Sequence, residues 1–159
     1  MSRKNELLIS GVRMSPDEEA EMQSLVNADE IEVFQMETKS AGLSDMVQVV
    51  FHDFSPIGYV RDMAIGFALQ KIHDKVKPVV LRFLTRGHTV RAVCIEKDMV
   101  TEDGVRFLLY VVTDAEHFEQ LLKELDAVKW ERLLPKKQND VVVAHYDNYG
   151  NIDINILGH

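Results

Sequence analysis

"PVVLRFL", residues 78 to 84, is the stretch on which the assembly of this chain turns. As a strand it pairs with "TVRAVCIEK" (89–97) across "TRGH" and completes a series of β, α, β, β, α, β elements. As a helix it merely prolongs the apolar segment before it, and that series loses its last strand. Pro78 lacks the N–H that a helix interior uses, so the expectation is that a helix stops there and a strand follows.

Upstream, Ile57 to Val76 carries apolar residues at helical spacing: Ile57, Val60, Met63, Ala64, Phe67 and Ala68 on one wide face, widened by Ile65, Leu69, Ile72 and Val76. Ser55 and Pro56 suit the N-cap and first helical position, which places the helix start inside "FHDFSPIGYVRD" (51–62), after the strand "MVQVVFHDF". The same grammar opens "SPDEEAEMQSLVNA": Ser15 as cap, Pro16 next, and Glu18 completing a capping box. "NELLISGVR" and "EIEVFQME" flank that first helix as strands.

Downstream, "VRFLLYVV" (105–112) extends the sheet, and Thr113 with Glu116 forms a second capping box for a helix running through Val128. "VVVAHY" and "NIDINIL" pair across "DNYG", with Ile152, Ile154 and Ile156 alternating against Asp153 and Asn155. The expected fold is therefore one α+β domain over residues 1–159, with a mainly antiparallel sheet and two or three packed helices. Residues 6–84 form a ferredoxin-like unit (βαββαβ), and residues 85–159 add a sheet extension, a helix and a C-terminal β-hairpin.

Composition agrees with a single globular core: 159 residues, 46% hydrophobic and 28% charged. The longest apolar runs, "MAIGFAL" (63–69) and "FLLYVV" (107–112), fall well short of the ~20 residues of a spanning helix. "MSRKNELLISGV" does not read as a secretory signal, so a cytoplasmic location is expected. Cys94 is the single cysteine, which excludes an intrachain disulfide and a cysteine-rich zinc site. No phosphate-loop or dinucleotide fingerprint occurs, and no two histidines stand four apart, so no cofactor and no metal are expected.

The net charge of −8 argues against general nucleic-acid binding and against an anionic membrane, both of which need cations on the protein. That charge is unevenly spread. Eight acids and no Lys or Arg stand between Met14 and Glu37, whereas six cations between Lys71 and Arg91 face only Asp74. The simplest reading is that these runs are solvated faces that keep the protein soluble; the functional reading is that the acidic surface receives a basic protein, or that acidic and basic faces meet in a homo-oligomer.

His52, Asp53 and Ser55 bring together the residue types of an acyl-transfer triad, but neighbours on a strand point to opposite faces and Ser55 already has a capping role. His52, Asp53 and His145 are the catalytic candidates, and Ser55, Arg61, Arg86 and His88 are candidates for contact with an anion or a partner. The leading expectation is a non-catalytic, acidic, cytoplasmic protein-binding or regulatory module of the inhibitor or immunity kind. The alternatives are a small enzyme with a His/Asp site assembled from distant segments and a homo-oligomeric structural component.

Overall fold

A computed structural model describes residues 4–36, 46–59, 64–101, 103–128, 135 and 137–157. Its elements, in chain order, are β1 (Asn5–Ser10), α1 (Pro16–Ser24), β2 (Ile31–Gln35), β3 (Met46–Tyr59), α2 (Ala64–Thr85), β4 (Thr89–Val100), β5 (Arg106–Thr113), α3 (Phe118–Asp126), β6 (Asp140–Tyr146) and β7 (Ile152–Leu157). The seven strands form one sheet in the order β2-β1-β3-β4-β5-β6-β7. An α+β class holds, but the sheet is evenly mixed rather than mainly antiparallel: the β1–β2, β3–β4 and β5–β6 pairs are parallel, and the other three are antiparallel.

Among the described residues each parallel pair is joined through a helix, as a parallel connection requires. β1 lies directly beside β2, and β3 directly beside β4, so the first two units are not split by an intervening strand as a ferredoxin-like plait demands. Residues 79–84, expected as a strand, are the last turns of α2. Burial explains the correction. Strand alternation would bury Val79 with Leu81 and Phe83, whereas the buried set is Leu69, Ile72, Val76, Val79, Val80 and Phe83, with Leu81 left 49% exposed. That set follows the helical period straight through Pro78, and one lost backbone bond is outweighed by the packing of six apolar side chains.

The helix expected from residue 57 is corrected in the same way, since β3 continues to Tyr59 and α2 begins at Ala64. Ser55 and Pro56 therefore lie within a strand rather than at the expected helix start. Between Asp53 and Gly58 the ladder with β4 slips, pairing Asp53 with Lys97 but Gly58 already with Met99. A proline cannot donate to a ladder, and a bulge is where a strand accommodates one. At Ser15 the identical dipeptide does what the spacing predicts: its hydroxyl accepts from the Glu18 N–H at 3.3 Å, with Pro16 in the first turn. The third helix starts later than its expected capping box, and its first turn is tied by Asp114, whose Oδ1 accepts from the His117 backbone N–H at 2.9 Å.

Registered rows define the two faces of the sheet. Leu7, Phe51, Ile95, Val111 and Ala144 are paired neighbour to neighbour and all are buried, forming with Met22, the α2 residues and Phe118, Leu121, Leu122 and Leu125 one continuous core beneath the helices. The opposite face carries no helix among the described residues. Part of the charge asymmetry of the chain is neutralised within the helical layer: Arg82 pairs with Glu21, Arg86 with Glu18 and Glu21, and Lys75 with Glu30 at 3.3 Å. On the other flank of α2, Lys77 meets Glu119 of α3 at 2.7 Å. Among the described residues no helix is long and apolar enough to cross a membrane.

Candidate functional site

The sheet distributes the expected site residues among separate environments. His52 Nδ1 donates to Glu96 Oε2 at 2.6 Å on the open face, where both side chains are half-buried. Asp53, one residue on, turns to the helix face and binds Lys97 Nζ at 2.5 Å, with side-chain exposures of 6% and 10%. Both pairs are register neighbours on β3 and β4, so the ladder itself selects the partners. His145 Nδ1 donates to the Tyr146 carbonyl at 2.9 Å, and its Nε2 lies 3.4 Å from Asp153 on β7. The three catalytic candidates thus belong to three local pairs on two faces.

Arg86 faces the α1 carboxylates, and His88 packs edge-on against Phe83 with ring centroids 5.9 Å apart. Ser55 lies in the bulged part of β3, and Arg61 is outside the described residues. Among the described residues no group of three or more His, Cys, Asp or Glu side chains is placed to hold a metal ion. Cys94 is buried, with the Gln48 amide 3.9 Å from its sulfur.

Two arrangements of functional side chains emerge instead. The first is the open face. One row across it reads Glu32, Glu6, His52, Glu96 and Tyr110 on five successive strands, and the adjacent row reads Phe34, Leu8, Val50, Cys94 and Val112. Strands lie about 4.8 Å apart, so the residues of each row are side by side, one row carboxylate-rich and one apolar, with Cys94 buried within the second. Burial holds the Tyr110 hydroxyl well above its ordinary range, reinforced by its contacts with Cys94 and the charge of Glu96.

The second is a crevice of about 450 Å³ lined by Thr113, Asp114, His117, Gln120, Tyr146, Asp147 and Gly150. It sits at the carboxyl ends of the parallel strands β5 and β6, over the start of α3, which is where open sheets with helical crossovers commonly take ligands. His117 Nδ1 donates to both Asp114 oxygens, at 2.8 and 2.9 Å, which fixes the ring and leaves Nε2 as the remaining polar atom. The Tyr146 ring stands edge-on to it at 5.9 Å. Its hydroxyl donates to Glu124 at 2.6 Å, and burial first, then that bond, pushes the phenol above its ordinary range. The turn on the far side uses Gly150 at φ 80, a conformation suited to glycine.

Sequence reasoning missed Asp114, His117 and Tyr146. The signal was the three-residue spacing of Asp114 and His117 in "TDAEH" (113–117), which a reading of Thr113 and Glu116 as caps obscured. No family model matches this chain, and no curated protein or solved structure matches it either.

Proposed function

We propose that this chain is a non-catalytic protein-binding or regulatory module, cytoplasmic and of the inhibitor or immunity kind, that receives a basic partner on the open face of its sheet. The observation that supports this reading is the pair of stripes on that face. An apolar row from Phe34 to Val112 lies beside a row holding the carboxylates Glu32 and Glu6 and the His52–Glu96 pair. A cationic amphipathic segment matches both, burying its apolar side while its charges meet carboxylates. The acids of α1 are poorer candidates for the same role, because Glu18 and Glu21 are engaged by Arg82 and Arg86.

The test is capture of cationic proteins by the immobilised chain at low salt, with lysozyme and histones as probes. Capture is expected to weaken as salt rises, to disappear in Val50→Asp and in the paired Glu6→Gln, Glu32→Gln variant, and to survive Glu19→Gln on α1. Capture indifferent to the open-face changes refutes the assignment of the surface.

A second reading, a small enzyme or small-ligand protein, is favoured by the Asp114–His117 pair at the crevice. An aspartate that orients an imidazole is the arrangement that general-base chemistry uses. Fragment binding followed by NMR decides it: shifts clustered at residues 113–120 and 146–150, and abolished in His117→Ala, support the crevice as a working site. Shifts absent or scattered over the surface remove it.

A further inference from the structure

We propose that β7 is a dimerisation edge, to which a second copy of the chain adds its own β7 antiparallel about a two-fold axis through Ile154. The two edges of the sheet are treated differently. At the β2 edge, Gln23 of α1 lays its side-chain amide along the strand as a neighbouring backbone would: Nε2 donates to the Ile31 carbonyl at 2.9 Å, and Oε1 accepts from the Val33 N–H at 3.0 Å. That edge is sealed by the chain itself. Along the outer side of β7, among the described residues, neither backbone nor side chain bonds the strand, and Ile156 and Leu157 are 45% and 55% exposed. An apolar, unsealed edge strand is a template for another strand.

Ladder geometry says which groups are on offer. The turn places Asp147 opposite Asn151, with the Asp147 N–H donating to the Asn151 carbonyl at 2.8 Å. Antiparallel pairs alternate, so Asp153, Asn155 and Leu157 direct their N–H and C=O groups to β6, and Ile152, Ile154 and Ile156 direct theirs outward. With Ile154 opposite its own copy, Ile152 falls opposite Ile156 of the second copy, and all three outward residues become hydrogen-bonded pairs. The register is also self-complementary in its side chains. On the helix side the isoleucines of both copies join into one strip, and on the other side each Asp153 meets an Asn155 rather than another Asp153, so no like charges oppose. A second copy is therefore a better occupant than an arbitrary peptide.

Six residues per copy bury less than the surface of an obligate dimer, which puts this contact in the weak, concentration-dependent class. Sedimentation velocity of the full chain over a concentration series reads it. The mass is expected to rise from one chain towards two with concentration, in low and in high salt alike. Ile156→Pro removes only an outward N–H and returns the protein to one chain with an unchanged urea midpoint. Ile156→Lys does the same by charge, and so covers the case of a proline variant that fails to fold. Gln23→Ala, on the opposite edge, leaves the two-chain species in place. A wild-type chain that stays single at every soluble concentration overturns the proposal, as does a dimer that survives in both Ile156 variants or that salt alone dissolves.

Discussion

His52 and Asp53 are consecutive residues that live in different solvents. Each pairs with the residue registered beside it on β4, His52 with Glu96 and Asp53 with Lys97. On the open face the His52 and Glu96 side chains are 25% and 31% exposed, so water shares in solvating them. Beneath the helices the Asp53–Lys97 pair is nearly dry, and its two charges depend on each other and on the surrounding protein. The contrast teaches that in a sheet covered on one side, a step of one residue changes the energetic meaning of a polar group entirely. It also separates the face whose packing fixes the fold from the face we propose for recognition.

The largest effects are expected from apolar residues of the covered face. Phe51 is 1% exposed at the centre of the core, and Phe51→Ala is expected to cost about 4 kcal/mol in urea unfolding, from lost burial and the cavity left behind. Its neighbour Val50 faces the open side, and Val50→Ala is expected to stay under about 1 kcal/mol. Equal costs at the two positions would mean that the open face is covered as tightly as the other, which would remove the proposed docking surface.

Next come the two ion pairs. Asp53→Ala leaves the Lys97 ammonium in a nearly dry site without its carboxylate, for which about 3 kcal/mol of destabilisation is expected. The double change Asp53→Leu with Lys97→Met should recover most of that loss, because removing both charges leaves neither to be solvated in the nearly dry site. On the open face, Glu96→Gln is expected to cost less than about 1 kcal/mol, since water still reaches the half-buried imidazole. A Glu96→Gln cost as large as that of Asp53→Ala would break the comparison.

How much of this was legible in the chain depends on whether the governing physics is local. Ser15, Pro16 and Glu18 announce α1 because a cap is built from groups three residues apart. The alternation of Ile152, Ile154 and Ile156 announces β7 for the same reason. Ser55 and Pro56 repeat the α1 signature and yet lie in β3, because pairing with a strand some forty residues away overrides a local preference. Pro78 marks a helix end by local rules, but the burial of Val79, Val80 and Phe83 against the sheet carries α2 past it. The acidic and basic runs were plain in the sequence, whereas their mutual neutralisation through Arg82, Arg86, Glu18 and Glu21 exists only once α1 and α2 lie side by side. The crevice needed the fold for the same reason, since Tyr146 and Gly150 reach Asp114 and His117 only across the β5–β6 pair.

The smallest expected effect is alkaline, and it compares the faces through two phenols. Tyr110 stands on the open face and Tyr146 on the helix side, and burial is the leading cause that raises both above the ordinary value of 10.0. A group whose folded value is raised holds its proton more tightly in the native state. Its contribution to stability is complete below pH 10 and is lost as pH climbs from there towards the folded value. Wild-type stability should therefore fall above about pH 10 more steeply than that of the paired Tyr110→Phe, Tyr146→Phe variant, followed by urea midpoint against pH. At neutral pH the two single changes separate. Tyr146→Phe forfeits the bond to Glu124 and should cost about 1 kcal/mol, while Tyr110→Phe should be close to neutral. If the double variant falls as steeply as the wild type, deprotonating lysines and not the two phenols govern alkaline unfolding, and the burial of Tyr110 on the open face has no energetic consequence.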